Sequence, residues 1–380
     1  MKEYTLNELL EIKNGKDHKH LSEGNIPVYG SGGLMRYANR AIYKKESILL
    51  PRKGSLNNIQ YSKVPFWTVD TLYYAVINEK LANGFYLYNY IKQLDLSKLN
   101  TGTGVPSMTF DSYYNIKVNL PALEEQKSIA SVLEAIDNKI TLNNRINDNL
   151  EQLAKTLYDY WFVQFEFPDK GGKPYKSSGG KMVWNEKLKR EIPDGWRNGE
   201  LAEIANITMG QSPDGETYNE NGKGIAFYQG CTDFGLRFPT VRQFTTAPAR
   251  IAEIGDILLS VRAPVGTTNF ANTKCCIGRG LAAINSKIGS ITHLFYVIQY
   301  MKTIFDQRNV NGTTFGSITK ADLFSLTITK PSQSVVDNFE NVVDSIFQKQ
   351  FNVAIQNQHL TALRDWLLPM LMNGQIKVSD

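Results

Sequence analysis

Residues 100–110 read NTGTGVPSMTF and residues 311–319 read NGTTFGSIT, two versions of one pattern. Sliding the chain by 210 positions sets Gly102 on Gly312, Thr103 on Thr313, Ser107 on Ser317, Thr109 on Thr319 and Pro121 on Pro331. The same offset continues without a gap to Leu133 and Val343, Ile136 and Ile346, Asn147 and Asn357, Leu150 and Leu360, and Leu153 and Leu363. Upstream, ILLPRKG (48–54) resembles ILLSVRAPVG (257–266); that alignment shifts by one residue and returns to register at Arg52 and Arg262. The chain reads as one unit used twice.

The second half of each copy is helical. From Ile129, apolar or small residues recur at alternating three- and four-residue steps through Leu133, Ile136 and Ile140, then Asn143 and Asn147, then Leu150, Ala154, Leu157 and Trp161. The copy runs Phe339, Val343, Ile346, Gln350, Val353, Asn357, Leu360, Arg364 and Leu367. These are heptad seams with polar layers near the middle, and two in one chain are natural partners. Amides inside a seam weaken packing but favour the register in which amide meets amide. The pair predicts an intramolecular antiparallel coiled coil, each helix of roughly 40 residues about 60 Å long. The competing reading is two long helices packed into an unrelated helical core.

Outside the helices, runs such as ESILL, TLYYAVI, GIAFYQG and GDILLSV alternate with Gly and Asn turns, with helical stretches at GFYLYNYIKQL and ITHLFYVIQYMK. The fold class is α+β: two α/β domains, each dominated by a curved sheet, separated by two long helices. The boundaries fall at 1–121 for the first domain, 122–167 for the first helix, 168–191 for a linker, 192–331 for the second domain and 332–376 for the second helix. The linker PDKGGKPYKSSGGK (168–181) has the composition of a solvated connector.

A chain of 380 residues, 42% hydrophobic, has enough apolar content for two cores. No apolar run is long enough to span a bilayer, so a soluble, cytoplasmic protein without membrane partners is expected. Three cysteines, two of them adjacent, suit neither a disulfide framework nor a zinc site, and His18 and His20 have no carboxylate or thiol at ligand spacing. No metal is expected. The net charge of +5 is unevenly spread, basic in residues 1–121 and 168–192 and acidic in 122–167 and 332–380. Nucleic acid would therefore meet the globular parts rather than the helices, unless this is ordinary surface variation.

Catalytic signatures are missing. No Pro-Pro dipeptide is available for a loop that holds a target amine, and each Gly-Lys pair is followed by Asp, Pro, Met or Gly instead of the Ser or Thr of a phosphate loop. Asp111, Glu125 and Lys127 are the nearest approach to a metal-dependent nuclease set, yet EEQK reads better as a helix opening whose carboxylates complement the N-terminal dipole. What remains is recognition. Loops of Gly, Thr, Ser and Asn with a few Arg or Lys let backbone amides and hydroxyls approach phosphates, and Arg reads guanine by paired hydrogen bonds. By this composition and by place in the repeat, the candidate DNA-contacting residues are Arg36, Arg52, Lys53, Ser55, Thr103, Arg262, Thr267, Arg279, Thr313 and Ser317. Base reading falls first to Arg52, Lys53, Arg262 and Arg279. The competing reading makes the glycines and hydroxyls turn residues that close a sheet.

LPALEEQKSIASVLEAIDNKI (120–140) and LRDWLLPMLMNGQI (363–376), with YDYWFVQFEFP (158–168), the Lys-Gly linker and IPDGW (192–196), resemble the specificity subunits of type I restriction-modification systems over nearly the whole chain. The resemblance implies two target recognition domains, each followed by a spacer helix, with roughly two-fold symmetry. It implies a non-catalytic subunit that binds a bipartite double-stranded DNA target for two adenine methyltransferase subunits, with ATP-driven motor-nuclease subunits in the full complex. The chain itself would need no cofactor; S-adenosylmethionine, ATP and Mg would belong to its partners. Glu125, Gln126, Trp161 and Trp366 are the partner-facing candidates on the helices. One departure stands out: the second helix opens KPSQSVVDNFE, without the Glu-Gln pair of the first.

Overall fold

The computed structural model describes residues 1–102, 104–302, 305–306 and 316–378. The chain divides into two compact units, residues 1–141 with 358–380, and residues 142–357. Thr103 and Thr313 lie outside the described residues.

Both units open and close in the same way. In the first, strand Lys2–Thr5 leads through one helical turn, Leu6–Leu9, into strand Leu10–Lys13; in the second, Arg197–Glu200, Leu201–Ile204 and Ala205–Met209 follow the same order. The turn is set locally, because the Glu8 carboxylate accepts from Thr5 N at 2.6 Å and the Glu203 carboxylate from Glu200 N at 2.9 Å, satisfying N–H groups a helix start leaves over. Leu6, Leu9, Leu201 and Ile204 face inward and are buried. At the far end, Thr109 caps helix Phe110–Tyr114 and Thr319 caps Lys320–Phe324, each hydroxyl accepting an N–H three residues on at 3.2 Å. The closing strand Lys117–Leu120 then pairs antiparallel with Lys2–Thr5, and Thr327–Lys330 with Arg197–Glu200. Pro121 and Pro331, which have no N–H for a ladder, release the chain into the long helices.

Between these ends lie several small sheets instead of one large curved one. The first unit has a four-stranded antiparallel sheet (Leu10–Lys13, Leu72–Ile77, Ser47–Pro51, Gln60–Ser62) and a three-stranded sheet in which Ile26–Gly30 pairs in parallel with Trp67–Thr68. The second has a matching four-stranded sheet (Ala205–Met209, Leu281–Ser286, Ile257–Ser260, Thr268–Phe270) and a five-stranded sheet in which Ile225–Tyr228 pairs in parallel with Cys275–Ile277. Helices Gly84–Lys92 and Ile291–Tyr300 supply buried faces to the two main cores.

The long helices are Leu123–Tyr158 and Gln333–Met372, and they pair antiparallel. In the first unit Ile129 and Leu133 share a core with Leu371 and Met372, and Asp137 Oδ1 accepts from Arg364 Nη1 at 3.0 Å. In the second unit Asn143 Nδ2 donates to Gln356 Oε1 and Asn357 Oδ1, both at 2.8 Å, and Asn357 Nδ2 donates to Asn144 Oδ1 at 2.7 Å. Amide meets amide, as the polar layer predicts. Further along, Gln350 faces Glu151, and Phe339 meets the rings of Tyr158 and Trp161.

Two expectations change here. The first helix ends its regular turns at Tyr158 and widens into a π-turn over Asp159–Val163, which buries Trp161 and Phe162. The linker is not a loose connector. Tyr175 stacks on Phe167 with centroids 4.6 Å apart, Phe167 stacks on Trp196 at 5.0 Å, and Met182–Asn185 and Arg190–Pro193 form a hairpin. Composition signalled solvation, but the aromatic residues spaced through it find one another.

Beside this aromatic group, His293 is 1% exposed, and among the described residues its Nδ1 has no hydrogen-bond partner. Burial pulls its pKa down to about 4. Unfolded, the imidazole takes up a proton near pH 6.5, so between pH 6.5 and 4 the unfolded chain binds more protons and stability falls as pH falls. The second unit should lose about 2 kcal/mol between pH 6.5 and 5, above most carboxylate titration. Denaturant unfolding followed by hydrogen exchange at Ile291–Tyr300 would measure it, and His293→Phe should flatten that window.

Candidate nucleic-acid interface

In the first unit five loops converge at one edge of the sheets. The turn from Val69 to Leu72 is closed by Leu72 N donating to Val69 O at 3.0 Å, and is held by Val69 N to Tyr29 O at 3.0 Å. Thr71 O accepts from Arg52 N at 2.9 Å, and Lys16 N reaches Thr68 O at 2.9 Å. Asn58 Nδ2 donates to Ser31 O at 2.7 Å, tying in the Gly-rich hairpin tip at Ser31–Gly33. Lys53 bridges to Ser107, while Gly54 N donates to Pro106 O at 2.9 Å. Asn100 Oδ1 braces this loop by accepting from the N–H groups of Gly102 and Ser107, both at 2.9 Å, so those two amides are already used internally. A cleft of about 660 Å³ lies among His18, Lys19, Ser31, Met35, Asp70 and Thr71.

The second unit repeats the turn and its backbone ties. Gly278 N donates to Tyr228 O at 2.8 Å, Leu281 N to Gly278 O at 3.0 Å, Val261 N to Gly280 O at 2.9 Å and Gln211 N to Ile277 O at 3.0 Å. Arg262 bridges to Ser317, and Ile318 N donates to Val261 O at 3.0 Å. Ser212 Oγ donates to Gln229 Oε1 at 2.9 Å across the gathered loops.

These bonds correct the alignment drawn from sequence. Lys53 and Arg262 make the same bridge to Ser107 and Ser317, and Arg52 stands where the second unit has Val261. The register therefore does not return at Arg52 and Arg262; the one-residue shift persists through Leu72 and Leu281 and is absorbed before Ser107.

Of the candidate residues, Arg52, Lys53 and Ser55 gather in the first unit, and Arg262, Thr267, Arg279 and Ser317 in the second. All are exposed except Arg52, which is half-buried. Arg36 is engaged elsewhere. Its Nη2 donates to the carbonyls of His18 at 2.9 Å and Leu21 at 2.7 Å, which fixes a loop instead of leaving the guanidinium free. Gln126 is also internal: it is 1% exposed, donates to Leu81 O at 3.1 Å and Pro121 O at 3.0 Å, and accepts from Asn83 N at 2.9 Å. The second helix, lacking that glutamine, is anchored by Glu340, which accepts from Ser290 and Thr292. Trp161 is 6% exposed, buried against Phe339 by the π-turn. Burial withdraws Gln126 and Trp161 as partner-facing side chains. Glu125 is exposed at the helix start, and Trp366 is 54% exposed.

Sequence reasoning missed Asp70, Thr71, Ser212 and Gln229, although the loops VYGSGGLMR (28–36) and PRKGSLNN (51–58), which hold Ser31 and Asn58, have the composition of recognition loops. A paired signal was present in Gly15 and Gly210. An added Cβ at Gly15 would lie 2.0 Å from Val69 O, and one at Gly210 would lie 2.1 Å from Gly278 O, so each glycine lets its loop rest on the equivalent turn.

Each unit carries a cluster of exposed cationic and hydroxyl side chains on braced loops, the chemistry of a nucleic-acid recognition module. The type I restriction modification DNA specificity domain family matches this chain twice, over residues 1–152 and 193–364, and the chain belongs to that family. It is 32% identical over 305 residues to the MjaX specificity subunit of a type I restriction enzyme from Methanocaldococcus jannaschii, covering 77% of this chain and 67% of that one. It is 25% identical over 359 residues to the MjaIX specificity subunit of the same organism, covering 89% and 79%. In fold it is similar to the crystal structure of a type I restriction-modification S subunit from M. genitalium, with TM-score 0.66, 17% identity and coverage of 97% and 95%. Among the described residues no helix is long and apolar enough to cross a membrane.

Proposed function

We propose that this chain is the sequence-reading subunit of a type I restriction-modification complex. Each unit reads one half of a split double-stranded DNA target, and the paired helices set the spacing. Two methyltransferase subunits docked on the chain methylate adenine N6, one on each strand, and motor-nuclease subunits join for cleavage. The chain does no chemistry itself and acts in the cytoplasm; S-adenosylmethionine, ATP and Mg are used by its partners.

The observation that carries the reading is the recurrence in both units of one braced turn with the same backbone ties, with Lys53 and Arg262 at the same bridge. Two copies of one reading surface on one chain suit a target with two halves. Docking on the helices is supported by their exposed apolar side chains: Leu363 and Trp366 in the first unit, and Leu153, Val342 and Ile355 in the second.

The test is a genome-wide map of N6-methyladenine in cells expressing this chain with its methyltransferase partner, compared with cells lacking only this chain. A split motif on both strands that vanishes with the chain is expected, and exchanging residues 1–121 should alter one half alone. An unchanged map would sink the reading and favour a coiled-coil adaptor, which predicts no sequence preference and no steep fall of DNA affinity with salt. A specificity partner for a fused methylase-nuclease would give the same map, and the partner's sequence separates the two.

A further inference from the structure

The turn from Val69 to Leu72 and the turn from Gly278 to Leu281 are the same structural object. Each is closed by the N–H of its fourth residue donating to the carbonyl of its first. Each is tied by its first N–H to a tyrosine carbonyl, Tyr29 or Tyr228, and its third carbonyl accepts from the strand-end N–H of Arg52 or Val261. Each carries a close-packed glycine, Gly15 or Gly210, against its first and fourth carbonyls. The second residue of each turn is therefore held at an equivalent point of its loop cluster on a braced backbone, with an exposed side chain. That residue is Asp70 in the first unit and Arg279 in the second.

Opposite charges at one structural position are informative because the closing bond, the tyrosine anchor, the strand-end tie and the glycine contact are shared. The local differences are that Arg52 Nη1 reaches Asp70 O at 3.4 Å in the first unit and Arg279 N reaches Ser212 Oγ at 3.4 Å in the second. Among the described residues, no ion pair and no side-chain hydrogen bond engages the Asp70 carboxylate or the Arg279 guanidinium, so neither charge serves the fold. A carboxylate among DNA-facing cations gains nothing from phosphates, which repel it. It accepts from the amino groups of cytosine N4 or adenine N6, whereas a guanidinium donates in parallel to guanine O6 and N7.

We infer that Asp70 and Arg279 are a matched pair of specificity-determining residues, Asp70 selecting an amino-bearing base in one half-site and Arg279 a guanine in the other. This rests on the DNA-reading function proposed above. One braced turn then carries two different preferences through a single side chain, with the scaffold unchanged.

The experiment is the methylation map repeated in the whole complex with Asp70→Asn, Asp70→Ala and Arg279→Gln. Thermal unfolding checks that these exposed substitutions leave the fold intact. Each variant should relax one base position of one half-site, lowering discrimination there about 10- to 100-fold, as expected for losing one paired base contact, while the other half is untouched. Unchanged motifs in all three variants, with methylation still dependent on the chain, overturn the inference and leave the function standing. So does a uniform loss of affinity across sequences with a shallower salt dependence, the mark of a phosphate contact. A wild-type map that does not depend on the chain overturns the function itself.

Discussion

Gly15→Ala should destabilise the first unit by about 3 kcal/mol, and Gly210→Ala the second by a similar amount, at the upper end of the usual cost of overpacking. The added methyl at Gly15 would lie 2.0 Å from Val69 O and 2.6 Å from Leu72 O; at Gly210 it would lie 2.1 Å from Gly278 O and 2.8 Å from Leu281 O. These neighbours are backbone atoms of a turn closed by its own hydrogen bond, so no flexible side chain can swing away. Relief requires the turn to move, and Asp70 or Arg279 would move with it. Function should therefore fail at the matching half-site before the whole chain unfolds. Gly32→Ala and Gly230→Ala are the controls, since an added Cβ there meets nothing within 4 Å among the described residues. Denaturant midpoints for the four variants decide the matter; equal midpoints for test and control substitutions would show that the contact is not tight.

Arg237→Ala should cost the second unit about 3 to 4 kcal/mol. The side chain is 9% exposed, and its guanidinium lies 5.0 to 5.8 Å from the ring centres of Phe270, Phe295, Phe347 and Phe351. Nη2 pairs with Glu151 at 3.2 Å and also bonds Gln350, so one residue of a loop joins both long helices. Burial lowers the pKa of Arg237, and the Glu151 charge pulls it back up. Truncation removes stem packing, ring contacts and the ion pair together. Arg237→Met keeps most of the stem volume and should cost only about 1 to 2 kcal/mol, because Glu151 is partly exposed and can hydrate. If methionine proves as costly as alanine, the charge rather than the packing holds the helices here.

Much of the local structure could be read in the chain. The recurrence of Thr109 with Thr319 and of Pro121 with Pro331 was visible, although the short helix that each threonine caps appears only in the structure. The Asn143 and Asn357 layer announced its own pairing through its position in the seams. The candidate site was only partly legible. Lys53 and Arg262 were chosen by composition, but their equivalence appears only in the bridges to Ser107 and Ser317, which lie over fifty residues away in sequence. Arg36 and Gln126 have the right chemistry for contact, and nothing in their neighbours says that carbonyls of His18, Leu21, Leu81 and Pro121 will occupy them.

By itself, the sequence determined the repeat, the two seams and the division into two mixed domains each followed by a long helix. Those features depend on spacing within a few residues or on similarity between two stretches, and both are visible along a line. Only the tertiary structure decided which loop residues meet, which polar side chains are consumed inside, and that Arg237 sits among four rings. Those outcomes depend on backbone groups brought together from distant strands, and a glycine's missing methyl or a buried amide's partner has no signature until the strands are in place.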